Sequence, residues 1–149
     1  MIFNTLRLQN FGLFCGQHEF DLRPRTKYTK TCPIVLFGGK NGSGKTTFLE
    51  AIMLCIYGKN ALGDDIAEAE YLQYLEGRIH RPRGIEMVSL NSAHIELEFS
   101  HAHFGDEKIY TVKRTWRRKN NKVDEELSLL RDGEQLPDIE AGFAQDFLK

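Results

Sequence analysis

A glycine-rich segment in the first third of the chain has the residue types and the spacing that hold a polyphosphate. Residues 39–46 fit the pattern G-x-x-x-x-G-K-[ST] and lie between an apolar run at 33–37 and an apolar segment at 46–57. Glycines let backbone N–H groups curl around phosphate oxygens, and the first turn of a following helix adds its free N–H groups. The predicted nucleotide-binding residues are Gly39, Lys40, Asn41, Gly42, Ser43, Gly44, Lys45, Thr46 and Thr47.

The side chains of this segment have separate expected roles. Lys45 is expected to reach the β and γ phosphates and is the candidate catalytic residue, while the Thr46 hydroxyl is expected to bind Mg²⁺. Thr47 is expected to approach the α phosphate. ATP and Mg²⁺ are therefore the predicted ligands. The alternative, a glycine-rich turn with a chance lysine, is disfavoured because the motif is complete and sits between a predicted strand and a predicted helix.

The residues that a P-loop enzyme needs for hydrolysis are not evident in the sequence. After Thr47 there is no run of four apolar residues followed by Asp or Glu, and there is no LSGG-like signature. Such an acidic residue holds Mg²⁺ and polarises water. The sequence therefore predicts a chain that binds ATP but does not hydrolyse it alone.

Residue periodicity predicts the elements that position the glycine-rich segment. Alternation predicts a hairpin of strands at residues 2–10 and 18–22, and the continuous apolar run at 33–37 predicts a strand covered on both faces. The almost wholly apolar segment 46–57 predicts a helix that is buried nearly all round and that ends at Gly58.

The remainder of the chain predicts a second helix and an antiparallel sheet. The helix is expected at about 66–76, with Asp65 as its N-cap. Residues 78–92 have no period and predict a loop, whose arginines could neutralise phosphates or simply be exposed. Alternating strands predict an antiparallel meander at about 93–131, and a last helix is expected at 138–149. That helix has no C-cap, so the chain looks cut at residue 149.

Composition limits how the chain could contact DNA. It has 149 residues and a formal net charge of -1, which excludes a uniformly basic nucleic-acid binder. Residues 108–122 nevertheless contain seven Lys or Arg and no acidic residue. This stretch could contact phosphates, or it could be a solvated strand whose charges block aggregation. The candidate DNA contacts are Arg114, Arg117, Arg118 and Lys119.

Cellular location is also constrained by the sequence. No apolar run approaches the roughly 18 residues that a membrane helix needs, and the N-terminus has no secretory pattern. The chain has three widely spaced cysteines, which suits a reducing compartment. A cytoplasmic protein with no membrane partner is therefore predicted. His101 and His103 could start a metal site, although a surface pair is the simpler interpretation.

Residues 37–47, with Asn41 before Gly-Ser-Gly-Lys, resemble the Walker A segment of the SMC-like ATPases, which include SbcC, RecN and RecF. The segments 6–12 and 49–58 fit the same pattern. Residues 2–14, 37–41 and 70–81 resemble more closely the DndD ATPases of bacterial DNA phosphorothioate modification.

This resemblance implies an α/β P-loop NTPase fold, with residues 1–149 forming the N-terminal lobe of an ABC/SMC-type ATPase head. It implies that hydrolysis requires a C-terminal half carrying the Walker B and signature motifs, and that two heads form a homodimer on ATP. It further implies DNA and the other subunits of a DNA sulfur modification complex as partners. The alternatives are a repair ATPase acting with a nuclease, a P-loop small-molecule kinase and an ATP-sensing module without turnover.

Overall fold

A six-stranded antiparallel sheet forms the body of the structure. The computed structural model describes residues 1–27, 30–32, 34–82, 90–103, 106–120 and 122–136. The elements in these ranges are β1 (Ile2–Phe11), β2 (Phe14–Asp21), β3 (Arg25–Lys27), β4 (Lys30–Cys32), α1 (Lys45–Tyr57), a 3-10 helix (Gly58–Leu62), α2 (Glu68–Arg78), β5 (Ser92–His103), β6 (Asp106–Lys119), β7 (Lys122–Arg131) and β8 (Glu134–Gln135).

The predicted N-terminal hairpin and the predicted meander are both confirmed, although the second strand of the hairpin begins at Phe14 and not at residue 18. The hairpin and the meander belong to the same sheet. The strand order is β2-β1-β5-β6-β7-β8, while β3 and β4 form a separate pair. The long-range contact is between β1 and β5, with Leu6 opposite Leu97 and Leu8 opposite Ile95. This pairing places the first strand inside the sheet, between β2 and β5.

One face of the sheet is covered by α1 and α2. Alternate residues of the central strands form this face, and the side chains of Leu6, Leu97 and Trp116 are completely buried. The Trp116 indole N–H donates to the Leu75 carbonyl at 2.7 Å, which fixes α2 against β6. The ring of Phe11 meets the ring of Trp116 edge to face, with centroids 5.8 Å apart.

The prediction of a strand at 33–37 is wrong where it can be compared with the structure, at residues 34–37. Residue 33 lies outside the described residues. Residues 34–37 form no strand, and Ile34 and Leu36 are 83% and 90% exposed. An apolar run becomes a doubly covered strand only where neighbouring strands pair with it and other elements cover both faces. The described residues supply neither for this segment.

Helix α1 begins one residue before the predicted start and ends where predicted. Gly58 caps it with a φ of 53°, and its N–H donates to the Leu54 carbonyl. The expectation of burial nearly all round is wrong, because only one face of α1 meets the sheet. Ala51 and Cys55 are completely buried, whereas Leu49 is 59% exposed.

Helix α2 lies further along the chain than predicted. Its N-cap residue is Ala67, without a capping side-chain hydrogen bond, so the prediction of Asp65 as N-cap is wrong. The position of α2 follows from its buried residues Tyr71 and Leu75, which pack on the sheet. Two acidic residues in its first turn complement the helix dipole. The predicted helix at 138–149 lies outside the described residues.

Candidate nucleotide-binding site

The glycine-rich segment ends in a left-handed residue at the start of α1. Gly44 precedes the helix with φ 95° and ψ 10°. A Cβ at this position would lie 2.7 Å from the Phe14 ring, so both conformation and space require glycine. The last glycine of the motif thus allows the chain to turn sharply from the loop into the helix.

Lys45 folds back over the loop that precedes it. Its Nζ donates to the Gly39 carbonyl at 2.8 Å and to the Lys40 carbonyl at 2.9 Å. The Ser43 N–H donates to the Lys40 carbonyl at 3.2 Å and closes the turn. An ammonium group therefore lies over the loop, on the exposed side where the sequence predicts the phosphates.

The first turn of α1 has the properties of an anion site. The Phe48 N–H donates to the Gly44 carbonyl at 2.8 Å, so the N–H groups of Lys45, Thr46 and Thr47 precede the first helical hydrogen bond. The first turn contains no acidic residue. Free N–H groups and the positive end of the helix dipole favour a bound phosphate.

The two threonines of the motif have different surroundings. Thr46 is exposed, which leaves its hydroxyl accessible to a hydrated Mg²⁺. Thr47 is only 7% exposed and packs against Gly12 in the β1–β2 turn. A Cβ at position 12, where φ is +54°, would lie 2.6 Å from Cγ2 of Thr47. The β1–β2 turn therefore touches the helix directly behind the phosphate loop.

A cleft of about 750 Å³ opens beside Thr47. Its walls are the β1–β2 turn and the chain at the end of α2. Hydrogen bonds of 2.8 Å join these walls, from the Gly12 N–H to the Arg78 carbonyl and from the His80 N–H to the Asn10 carbonyl. His80 Nδ1 also lies 2.8 Å from the Gly12 carbonyl. The lining residues are Gly12, Leu13, Thr47, Gly77, Arg78, Ile79, His80, Arg81 and Pro82.

An aromatic pocket lies on another side of the loop. It measures about 260 Å³ and contacts Lys45 and Gly44. Four phenylalanines line it, with the ring centroids of Phe37 and Phe48 4.5 Å apart. Sequence reasoning missed both the cleft and this pocket because their residues come from distant segments that only the fold brings together.

The four candidate DNA contacts do not form one patch. Side chains alternate across β6, so Arg114 and Arg118 face the helices while Arg117 and Lys119 are exposed. The Arg114 side chain is buried, donating from Nη1 to Glu125 at 2.8 Å and from Nε to the Cys55 carbonyl at 3.2 Å. Arg118 pairs with Glu76 at 2.9 Å. The buried position of Arg114 argues against it as a DNA contact.

The outer face of the sheet carries a row of alternating charges across its strands. Arg7 contacts Glu19 at 2.7 Å and Glu96 at 2.6 Å, and Lys113 approaches Glu96 at 3.0 Å. His94 lies 3.6 Å from the same carboxylate. His94, Lys113 and Arg7 together lower the pKa of Glu96 to about 2, against the opposing effect of burial. Because its charges are compensated, this row is not a basic surface for DNA.

The described part of the chain contains no cluster of metal-binding side chains. His101 and His103 both lie on β5, but no group of three or more His, Cys, Asp or Glu suited to a metal occurs among the described residues. None of the described helices is long and apolar enough to cross a membrane.

The fold and the loop together define a class of protein. An antiparallel sheet packed on a helix that begins directly after a glycine-rich loop has the fold of the N-terminal lobe of a P-loop ATPase head. The SMC head domain from Thermotoga maritima has this fold, with a TM-score of 0.50 and 19% sequence identity. The match covers 99% of this chain and 41% of that one.

The sequence comparisons specify the family. The family described as AAA domain matches residues 5–144, and the chain belongs to it. The chain is also 39% identical over 110 residues to the C subunit of the nuclease SbcCD from Treponema pallidum (strain Nichols). That match covers 74% of this chain and 8% of the relative, so the chain spans a small part of the relative's length. The comparisons support an SMC-like ATPase and do not support the closer resemblance to the DndD ATPases.

Proposed function

We propose that residues 39–47 bind Mg-ATP and that the chain acts as part of an SMC-like ATPase head. The observation that carries this proposal is the position of Lys45, whose ammonium group is held over the loop by two carbonyls at 2.8 and 2.9 Å. A nucleotide would replace these carbonyls with its β and γ phosphates, which are stronger acceptors. Bound Mg²⁺, held in part by the Thr46 hydroxyl, would neutralise phosphate charge.

Hydrolysis, in this proposal, needs a C-terminal half of the same head. The supporting observation is an exposed apolar surface next to the loop, formed by residues 34–37 and by the outer face of α1. Leu36 and Leu49 are 90% and 59% exposed, and Met53 and Tyr57 continue the α1 face at helical spacing. A packed sheet bearing an acidic residue would cover this surface and complete the site. Two such heads would then face each other around ATP as a homodimer.

Calorimetric titration of the chain with Mg-ATP tests the binding step. Lys45→Ala should abolish binding and leave the far-UV circular dichroism unchanged, because the Lys45 ammonium group bonds to carbonyls of the loop and not to the sheet. Lys59→Ala is the control, since Lys59 also carries a surface ammonium group but pairs with Glu68 outside the loop. Retained ATP affinity in the Lys45 variant would contradict the assignment. Phosphate release by the chain alone would contradict the need for a C-terminal half.

We further propose that the head works on DNA in the cytoplasm together with a nuclease. The support is the identity of 39% to a component of a nuclease. Coupling to DNA phosphorothioate modification is a second candidate, supported by the resemblance of residues 2–14, 37–41 and 70–81 to the DndD ATPases.

Disruption of the gene separates these two candidates. Mass spectrometry of digested DNA would show loss of phosphorothioate linkages if the protein serves sulfur modification. Unchanged linkages, together with ATP-stimulated nuclease activity in the purified complex, would favour the nuclease partnership.

A further inference from the structure

The cleft beside Thr47 lies where the nucleoside end of a bound nucleotide would extend. Lys45 marks the γ end of the triphosphate and Thr47 marks the α end, so the nucleoside continues past Thr47. The cleft touches Thr47, whereas the aromatic pocket touches Lys45, Gly44 and Ser43. Of these two spaces, only the cleft adjoins the correct end of the phosphate chain.

The chemistry of the cleft suits a nucleoside. Leu13 and Pro82 provide apolar surface for the face of a base, while the guanidinium group of Arg81 provides planar donors. Binding sites for small molecules commonly combine a mainly apolar lining with a few fixed polar groups. At about 750 Å³ the cleft is in the size range of such sites.

Arg78 connects the three elements that form the cleft. Its Nη2 donates to Oε1 of Glu50 on α1 at 3.0 Å, and its guanidinium lies 4.6 Å from the centre of the Tyr74 ring. Its carbonyl accepts the Gly12 N–H of the β1–β2 turn at 2.8 Å. Glu50 stands three residues after Thr47, one turn along the same face of α1. Thr47 therefore contacts Gly12, Gly12 bonds to Arg78, and Arg78 bonds to Glu50. Because Thr47 and Glu50 both belong to α1, these contacts connect the helix, the β1–β2 turn and the end of α2 in a closed circuit.

We infer that Glu50 and Arg78 are positioning residues for the nucleoside end of the nucleotide. This inference rests on the proposed function. The ion pair holds the wall formed by the end of α2 at a constant distance from Thr47, so that the cleft opens directly beyond the α phosphate. Neither residue is required to hold the β and γ phosphates, which belong to the loop and to Lys45.

Comparing the affinities for two ligands, one with a nucleoside and one without, distinguishes the positioning role from a general effect on folding. Calorimetry would give the Kd of Mg-ATP and of inorganic tripolyphosphate with Mg²⁺ for the chain and for Glu50→Gln and Arg78→Gln. Each substitution should weaken ATP about tenfold, the loss expected for one misplaced charge-assisted hydrogen bond. Tripolyphosphate has no nucleoside, so its affinity should change less than about twofold by the same reasoning.

Matched variants complete the design. Glu76→Gln removes another partly exposed ion pair of α2, with Arg118, that does not line the cleft, and it should leave both affinities unchanged. Arg78→Lys keeps the charge and should recover part of the ATP affinity. The double variant Glu50→Gln/Arg78→Gln should bind ATP no more weakly than Arg78→Gln, because the two residues act as one pair. If Arg78→Gln does not fold, Glu50→Gln and Arg78→Lys provide the same comparison.

The measured affinities distinguish failure of the positioning role from failure of the proposed Mg-ATP binding. A loss of affinity for ATP but not for tripolyphosphate supports the positioning role. Equal losses for both ligands, or no loss for either, overturn it and leave the proposed function intact. A chain that binds neither ligand before substitution overturns the proposed function, and the inference fails with it.

Discussion

Replacement of Gly12 by alanine tests the contact between the β1–β2 turn and the helix that follows the phosphate loop. Gly12 has a φ of +54°, and a Cβ there would lie 2.6 Å from Cγ2 of Thr47, a group that is nearly buried. Two costs therefore add. The left-handed conformation costs an alanine about 1–2 kcal/mol, and forcing an extra carbon into a packed site costs about 1–3 kcal/mol. The expected total is about 2–5 kcal/mol of unfolding free energy.

Gly16 provides a matched control in the same hairpin. Its φ is +73°, but no atom lies within 4 Å of the place that an added Cβ would occupy. Gly16→Ala should therefore cost only the conformational part, about 1–2 kcal/mol. Any gain from reduced flexibility of the unfolded chain is common to both variants and cancels in the comparison.

Urea denaturation followed by circular dichroism measures the difference between the two variants. With a slope of about 1–3 kcal/mol/M, the midpoint of Gly12→Ala should lie on the order of 1 M below that of Gly16→Ala. Gly12→Ala should also weaken Mg-ATP binding, because the added carbon displaces Thr47, while Gly16→Ala should not. Equal midpoints and equal ATP affinities would refute the close contact between the turn and α1.

Further predictions concern the core, the charged row and the exposed apolar segment. Trp116→Phe removes the indole N–H and leaves the buried Leu75 carbonyl without that donor, which should cost about 1–3 kcal/mol in urea denaturation. Because the folded-state pKa of Glu96 is about 2, below its ordinary value of 4.5, its ionised form stabilises the protein above pH 4.5. This stabilisation of up to about 3 kcal/mol should disappear as the pH falls from 4.5 to 2, and Glu96→Gln should show a flatter pH profile. Leu36→Ser should change the stability of the chain by less than about 0.5 kcal/mol, because Leu36 is 90% exposed, yet it should weaken association with a separately added C-terminal half in calorimetry.

Local patterns in the sequence were sufficient wherever one segment determined its own structure. The spacing of Gly39, Gly44 and Lys45 predicted a phosphate loop, and in the structure the Lys45 ammonium group lies over the segment that contains these glycines. Alternation identified β1, β5 and β6, because a strand with one buried face repeats every two residues. These features depend on conformational preferences and side-chain periods that are encoded within a few residues.

Other features depended on which segments meet in space. The apolar character of residues 34–37 and 46–57 predicted burial, but the run needs partner strands that the described residues lack, and α1 meets the sheet on one face only. The basic residues of β6 looked like one patch in the sequence, yet strand alternation places Arg114 inside and Arg117 outside.

The sequence by itself determined the glycine-rich motif that predicts a phosphate loop, the strand periods and the near-zero net charge. Only the tertiary structure showed that β1 pairs with β5, that Gly12 packs on Thr47, and that Arg78 joins Glu50 across a cleft. The physical reason is that these contacts join residues far apart in the chain. Their distances are set by the packing of the whole sheet against its helices, and no local pattern of residues records that packing.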